Sequence, residues 1–163
     1  MKNLLFLLLA FSVISFTACE REQALLNDVA GEWEVVTIDY QTDSGNMIPV
    51  DVQGLRLRFA DCDPDASRNG DCNLTLTLGD GAVVPLEFNV LRTQTQNLPT
   101  LQIFGTDAMP IGFDTTLIGQ TLLGSFGHQV NGNLLEAVSS KNGASFSING
   151  QAIVDGRFTL RRP

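Results

Sequence analysis

The chain has 163 residues, a net charge of −8 and a pI near 4.4, which is one domain's length with enough apolar residues for a core. The acidic excess excludes the electrostatic grip on phosphates that nucleic-acid binding needs, and also a polybasic attachment to lipid headgroups. In chain order, Lys2 gives a basic start and Leu4 to Phe16 is an apolar run broken only by Ser12 and Ser15. That run is shorter than the roughly 20 residues of a membrane-spanning helix, and it has the length and flanks of a cleaved signal peptide. No second long apolar run follows. The first run ends in Phe16-Thr17-Ala18-Cys19, two small residues and then a cysteine.

This ending resembles the bacterial lipobox, in which a lipid-modified cysteine becomes the first residue of the mature chain. Phe16 stands where that motif usually has leucine. The resemblance implies a signal peptide over residues 1–18 and lipidation of Cys19, with a lipidated tether over 19–30. Each buried acyl methylene would contribute about 0.8 kcal/mol to membrane attachment. The partner implied is a membrane, and the location the cell envelope, with the outer membrane expected. The charged segment Glu20-Arg21-Glu22-Gln23 resembles the short export signals of surface lipoproteins of Bacteroidota, and reads equally as a solvated tether. Leu25, Leu26 and Val29 would share one side of a short helix at its end.

From Gly31 the pattern is strand after strand. Glu32 to Tyr40 is rich in β-branched and aromatic residues. Leu55-Arg56-Leu57-Arg58-Phe59 and Leu74-Thr75-Leu76-Thr77-Leu78 alternate strictly, which places Leu55, Leu57, Phe59, Leu74, Leu76 and Leu78 on inward faces. Gly79-Asp80-Gly81 predicts a hairpin turn into Val83 to Arg92. Residues 93–99 are polar, Leu101 to Phe104 is a short strand, and Thr106 to Phe113 is a loop. Leu117 to Val130 is punctuated by Gly119, Gly124 and Gly127, and reads as one kinked strand or two. Asn131-Gly132, Asn142-Gly143 and Asn149-Gly150 are turn signals, with Asp155-Gly156 as a further turn or bulge. The result is an all-β, antiparallel up-and-down meander of roughly eight to ten short strands, closed as a barrel or stacked as a sandwich.

The first strand opens Val29-Ala30-Gly31-Glu32-Trp33, which resembles the Gly-x-Trp signature of lipocalins and of lipocalin-like lipoproteins of Bacteroidota. The family's second motif is represented only by Thr106-Asp107. The resemblance implies a lipocalin-like β-barrel over residues 31–163 with an apolar interior. Gly31 would permit a tight bend, and Trp33 would plug the closed end. A terminal arginine would cross the ring as a cation over an aromatic face. Arg157, Arg161 and Arg162 are the candidates, and Arg161 is selected by its place near the chain end.

Cys62 and Cys72 remain as an even pair in an oxidising compartment and predict a disulfide, worth on the order of 3 kcal/mol for so short a loop. From the residue before that loop, Asp61, Asp63 and Asp65 alternate as calcium ligands do, but Ala66 and Cys72 occupy positions an EF-hand loop gives to glycine and glutamate. A polar hairpin tip is the plainer reading. His128, the lone histidine, is expected at a surface or turn. No nucleophile, base and orienting group assemble in the sequence, so neither an enzyme nor a cofactor is expected. Two functions remain. One is a non-catalytic module that holds a small apolar ligand. The other is a structural or interaction lipoprotein with a filled β core, which would bind a protein or glycan through its loops.

Overall fold

The computed structural model describes residues 20–92, 98–139, 147–148 and 151–163. The signal segment with Cys19, and the turns expected at Asn142-Gly143 and Asn149-Gly150, lie outside the described residues. Residues 20–29 form a helix, α1. Ten strands follow: β1 Gly31–Thr42, β2 Met47–Pro49, β3 Arg56–Phe59, β4 Cys72–Thr77, β5 Val83–Leu91, β6 Thr100–Gly105, β7 Gly124–Asn131, β8 Leu134–Ser139, β9 Ser147–Ile148 and β10 Gln151–Arg161. Two short helices interrupt them, α2 over Pro64–Asn69 and α3 over Leu117–Leu122, with a 3-10 turn at Phe113–Thr115.

The sheet is an antiparallel meander closed on itself. Its neighbours run β1-β3-β4-β5-β6-β7-β8-β10, and β10 returns to β1. Glu34 faces Arg161, Ile38 faces Phe158 and Tyr40 faces Gly156 across the closing seam. Eight strands therefore form the barrel, while β2 adds to the far half of β1 and β9 to the start of β10. The expected closed antiparallel barrel is thus present. Closure matters because it removes the unpaired edges that an open sheet would expose.

Side chains alternate across this wall as the sequence indicates. Leu55, Leu57, Phe59, Leu74 and Leu76 are buried in the common core, with Leu78 packed at its margin. Phe59 meets Phe88 edge to face, and Phe126 meets Phe158 in the same manner.

Two local expectations are corrected. Leu117 to Leu122 is helical rather than strand, because Thr116 caps it by accepting from the Gly119 amide at 3.0 Å. Gly119 serves close approach there, since any Cβ would collide with the Phe113 carbonyl. The turn signalled at Asn131-Gly132 falls one residue later. Asn131 still pairs with Leu134, so Gly132 and Asn133 form the loop. Of the turn or bulge expected near Asp155-Gly156, the structure has the bulge: Gln41 pairs with Asp155 and Thr42 with Ile153 within the β1–β10 seam.

The segment between β3 and β4 is a capped helix rather than a hairpin tip. Asp63 is the N-cap, accepting from the amides of Asp65 and Ala66 at 3.0 and 2.9 Å. Pro64 opens the helix and Gly70 closes it in the left-handed conformation. Ser67 then covers the edge of β5 that β4 leaves open: its hydroxyl accepts from the Val90 amide and faces the Val90 carbonyl. The Cys62–Cys72 disulfide is formed, with Cα atoms 5.7 Å apart. Replacing both cysteines by serine should lower unfolding free energy by about 2–3 kcal/mol without loss of strand content, read by urea denaturation and far-ultraviolet dichroism. No change in the midpoint would mean that the link adds nothing to the capped helix.

Candidate functional site

The candidate site is the barrel interior and the two ends that seal it. One end carries the starts of β1 and β4 and the ends of β3, β7 and β10, since Gly31 pairs with Phe59 and Leu134 with Arg161. Gly31 enters β1 at φ 113°, a conformation open to glycine, and turns the chain from α1 into the wall. Trp33 then points inward and is fully buried. Its indole Nε1 donates to the Val29 carbonyl at 2.8 Å, tying the ring to the last turn of α1. Leu26 and Val29 of that helix are buried beside it. From residue 20 the expected tether is therefore a plug packed on the barrel.

The cation over Trp33 is Arg162, with its guanidinium carbon 4.6 Å from the ring centroid, and not Arg161. Strand parity is the reason. Phe158 and Leu160 face inward, so Arg161 faces out, where it is exposed and lies 3.8 Å from Glu34. Arg162 regains the inward side just past the strand end. Its Nη2 also donates to the Asp28 carbonyl at 2.9 Å, so it clasps α1 as well as the ring. Such a parity count along β10 was available in the sequence.

At the opposite end, the segment between β6 and β7 folds over the barrel. Tyr40 donates from its hydroxyl to the Leu117 carbonyl at 2.5 Å, and burial raises the pKa of that phenol. Thr121 turns back to the Leu117 carbonyl at 2.7 Å. Phe113 and Leu122 are buried in the core cluster, with Ile118 against it. Before this segment's helix, Ile111 is fully exposed.

The feature that the sequence did not signal is His128. It is 2% exposed, not at a surface or turn. It shares the inward parity of Phe126, and it faces the small Ala137 across the β7–β8 pair, which leaves room for the ring. Burial lowers its pKa to about 4, against the opposing pull of the Pro99 carbonyl and the Asp28 charge. Its Nδ1 has no hydrogen-bond partner. The other unpartnered buried side-chain atom among the described residues, Asn89 Oδ1, lies between inward Phe88 and Val90 and so belongs to the outer side of β5.

The acidic loop holds no converged ligand set. Asp63 is committed to the α2 cap, and Asp65 pairs with Arg68 at 3.0 Å. Among the described residues no three His, Cys, Asp or Glu side chains are grouped to hold a metal ion. Among the same residues, no helix is long and apolar enough to cross a membrane.

No family model matches the chain, and no curated protein is similar to it. Among solved structures, the crystal structure of a lipocalin-like protein from Bacteroides uniformis is similar, with a TM-score of 0.43 and 14% identity over 83% of this chain and 99% of that one.

Proposed function

We propose that the chain is a lipoprotein of the cell envelope, held at the outer membrane by lipid on Cys19, and that its barrel is a non-catalytic module for a small apolar ligand. The observation that carries the ligand reading is His128 Nδ1. Buried polar atoms are nearly always paired, and this one, on the inward-facing ring of β7, has no partner in the chain. A mostly apolar molecule with one hydrogen-bonding group would complete it. The Gly31-x-Trp33 opening and the sealed end agree with such a container. Native mass spectrometry of the chain purified from its host tests this, together with the nitrogen shifts of His128 before and after extraction with organic solvent. A retained small molecule whose removal moves the His128 signals supports the reading. An empty protein with unmoved signals defeats it.

A second reading has its own observation. Trp33, Tyr40, Phe59, Phe88 and Phe158 are all fully buried, and five large rings fill much of a small barrel. A filled core would leave the outer loops as the functional surface, for a protein or glycan partner.

The anchor has a separate test. Replacing Cys19 by Ser should move the protein from the membrane fraction to the soluble fraction, or leave its signal segment uncleaved. Unchanged processing and fractionation would remove the lipoprotein reading and leave the barrel's interior chemistry intact.

A further inference from the structure

The anchor and the plug are adjacent in the chain, and this sets the geometry of the whole domain. Residue 20 is already helical, and Cys19 precedes it by one peptide unit, about 3.8 Å between Cα atoms. The helix that follows lies across the sealed end. Near its start Glu22 pairs with Arg68 of α2, and Gln23 donates to the Cys62 carbonyl at 3.0 Å. Near its finish Val29 is buried under Trp33, and Asp28 is held through its carbonyl by Arg162 beyond β10. Contacts to α2, to the Cys62 carbonyl and to Arg162 therefore hold α1 from Glu22 to Asp28, and only Cys19, Glu20 and Arg21 separate the lipid from the first of them.

We infer that the lipid on Cys19 holds the Trp33 end of the barrel directly against the membrane surface in one orientation, with the α3 end directed into the aqueous phase. This rests on the lipoprotein reading and adds to it the surface and the partner, a bilayer face. The rim around the anchor exposes Glu20, Asp61, Asp63, Asp65 and Asp71 against Arg21 and Arg68, so it is acidic on balance. Such a rim within a Debye length, about 8 Å, of anionic headgroups is repelled, so the apposed face is one dominated by zwitterionic lipid. Any ligand would then enter or leave on the side away from the bilayer, past the segment that carries Ile111 and α3.

The test uses the full lipidated chain in phosphatidylcholine vesicles that contain a lipid with a nitroxide on its headgroup. A fluorescent amino acid replaces either Asn133, in the turn at the sealed end, or Ile111, at the other. The eight residues of β7 separate these ends by roughly 25 Å. Quenching should be severalfold stronger at position 133 than at 111. A flexible Gly-Ser linker of about ten residues inserted after Cys19 should abolish most of the difference. Equal quenching in a chain whose intact mass shows acylated Cys19 overturns the inference and leaves the lipoprotein reading standing. An intact mass without acyl groups overturns both.

Discussion

Trp33→Ala should destabilise the barrel by roughly 3–5 kcal/mol, the range for truncating a fully buried aromatic. Three losses coincide there. The ring's buried area is replaced by a cavity, the Val29 carbonyl loses its indole donor, and Arg162 loses the face it covers. The last two also hold α1, so amide exchange over residues 20–29 should rise more than that of β4 or β5. Small domains have only about 5–15 kcal/mol of total stability, so the substitution consumes a large share. Urea denaturation of the folded domain measures it. Arg162→Ala should cost about 1–2 kcal/mol, and Arg161→Ala almost nothing, because its pairing with Glu34 is exposed. A Trp33→Ala cost below about 1.5 kcal/mol would show that the sealed end does not depend on the indole.

His128 makes stability depend on pH in a definite direction. Its folded pKa, about 4, lies below the ordinary value of 6.5. Above pH 6.5 neither state carries the proton and the burial of the neutral ring is fully tolerated. As pH falls from 6.5 to 4 the unfolded chain takes up the proton and the folded chain does not, so stability is lost across that window. A fall from 6.5 to about 4 corresponds to about 3 kcal/mol. Carboxylates titrate in the lower part of the same range, so the comparison must be with His128→Leu, which keeps the volume and removes the titration. Between pH 7 and 4.5 the wild-type chain should lose roughly 2 kcal/mol more than the variant. Parallel stability curves would mean that the ring gains a proton inside the fold at no penalty.

How much of this was legible follows from period and length. The strands within Leu55–Phe59 and Leu74–Leu78 were plain, because strict alternation over five residues has few other readings. The sealed end was legible through Gly31 and Trp33. The short helices were not. Leu117–Leu122 is under two turns long and contains Gly119, too little for a 3.6-residue period to show, and its glycine reads as a strand kink. For α2 the signals were present in Asp63-Pro64 and Asn69-Gly70, a start and a stop, but six residues of helix looked like a polar turn. Asp63 was consequently read as part of a polar hairpin tip whose spacing resembles a calcium loop, when its carboxylate caps a helix. His128 was hidden by its neighbours: Gly127 and Gln129 flank it, and only Phe126 and Val130 reveal its parity. Arg162 was among the candidates, and Arg161 was selected over it because the last strand was counted from the chain end rather than from Leu160.

The seam between β1 and β10 has a consequence for when the molecule can fold. β1 is complete along its full length only when residues 153 to 161 lie beside it, near the final residue of the chain. Contacts so distant in sequence carry a large loop-closure entropy and slow the acquisition of structure. A chain made N-terminus first thus holds only an open meander until β10 arrives. The fold cannot lock early, and a nascent chain of this design stays threadable until β10 has been delivered.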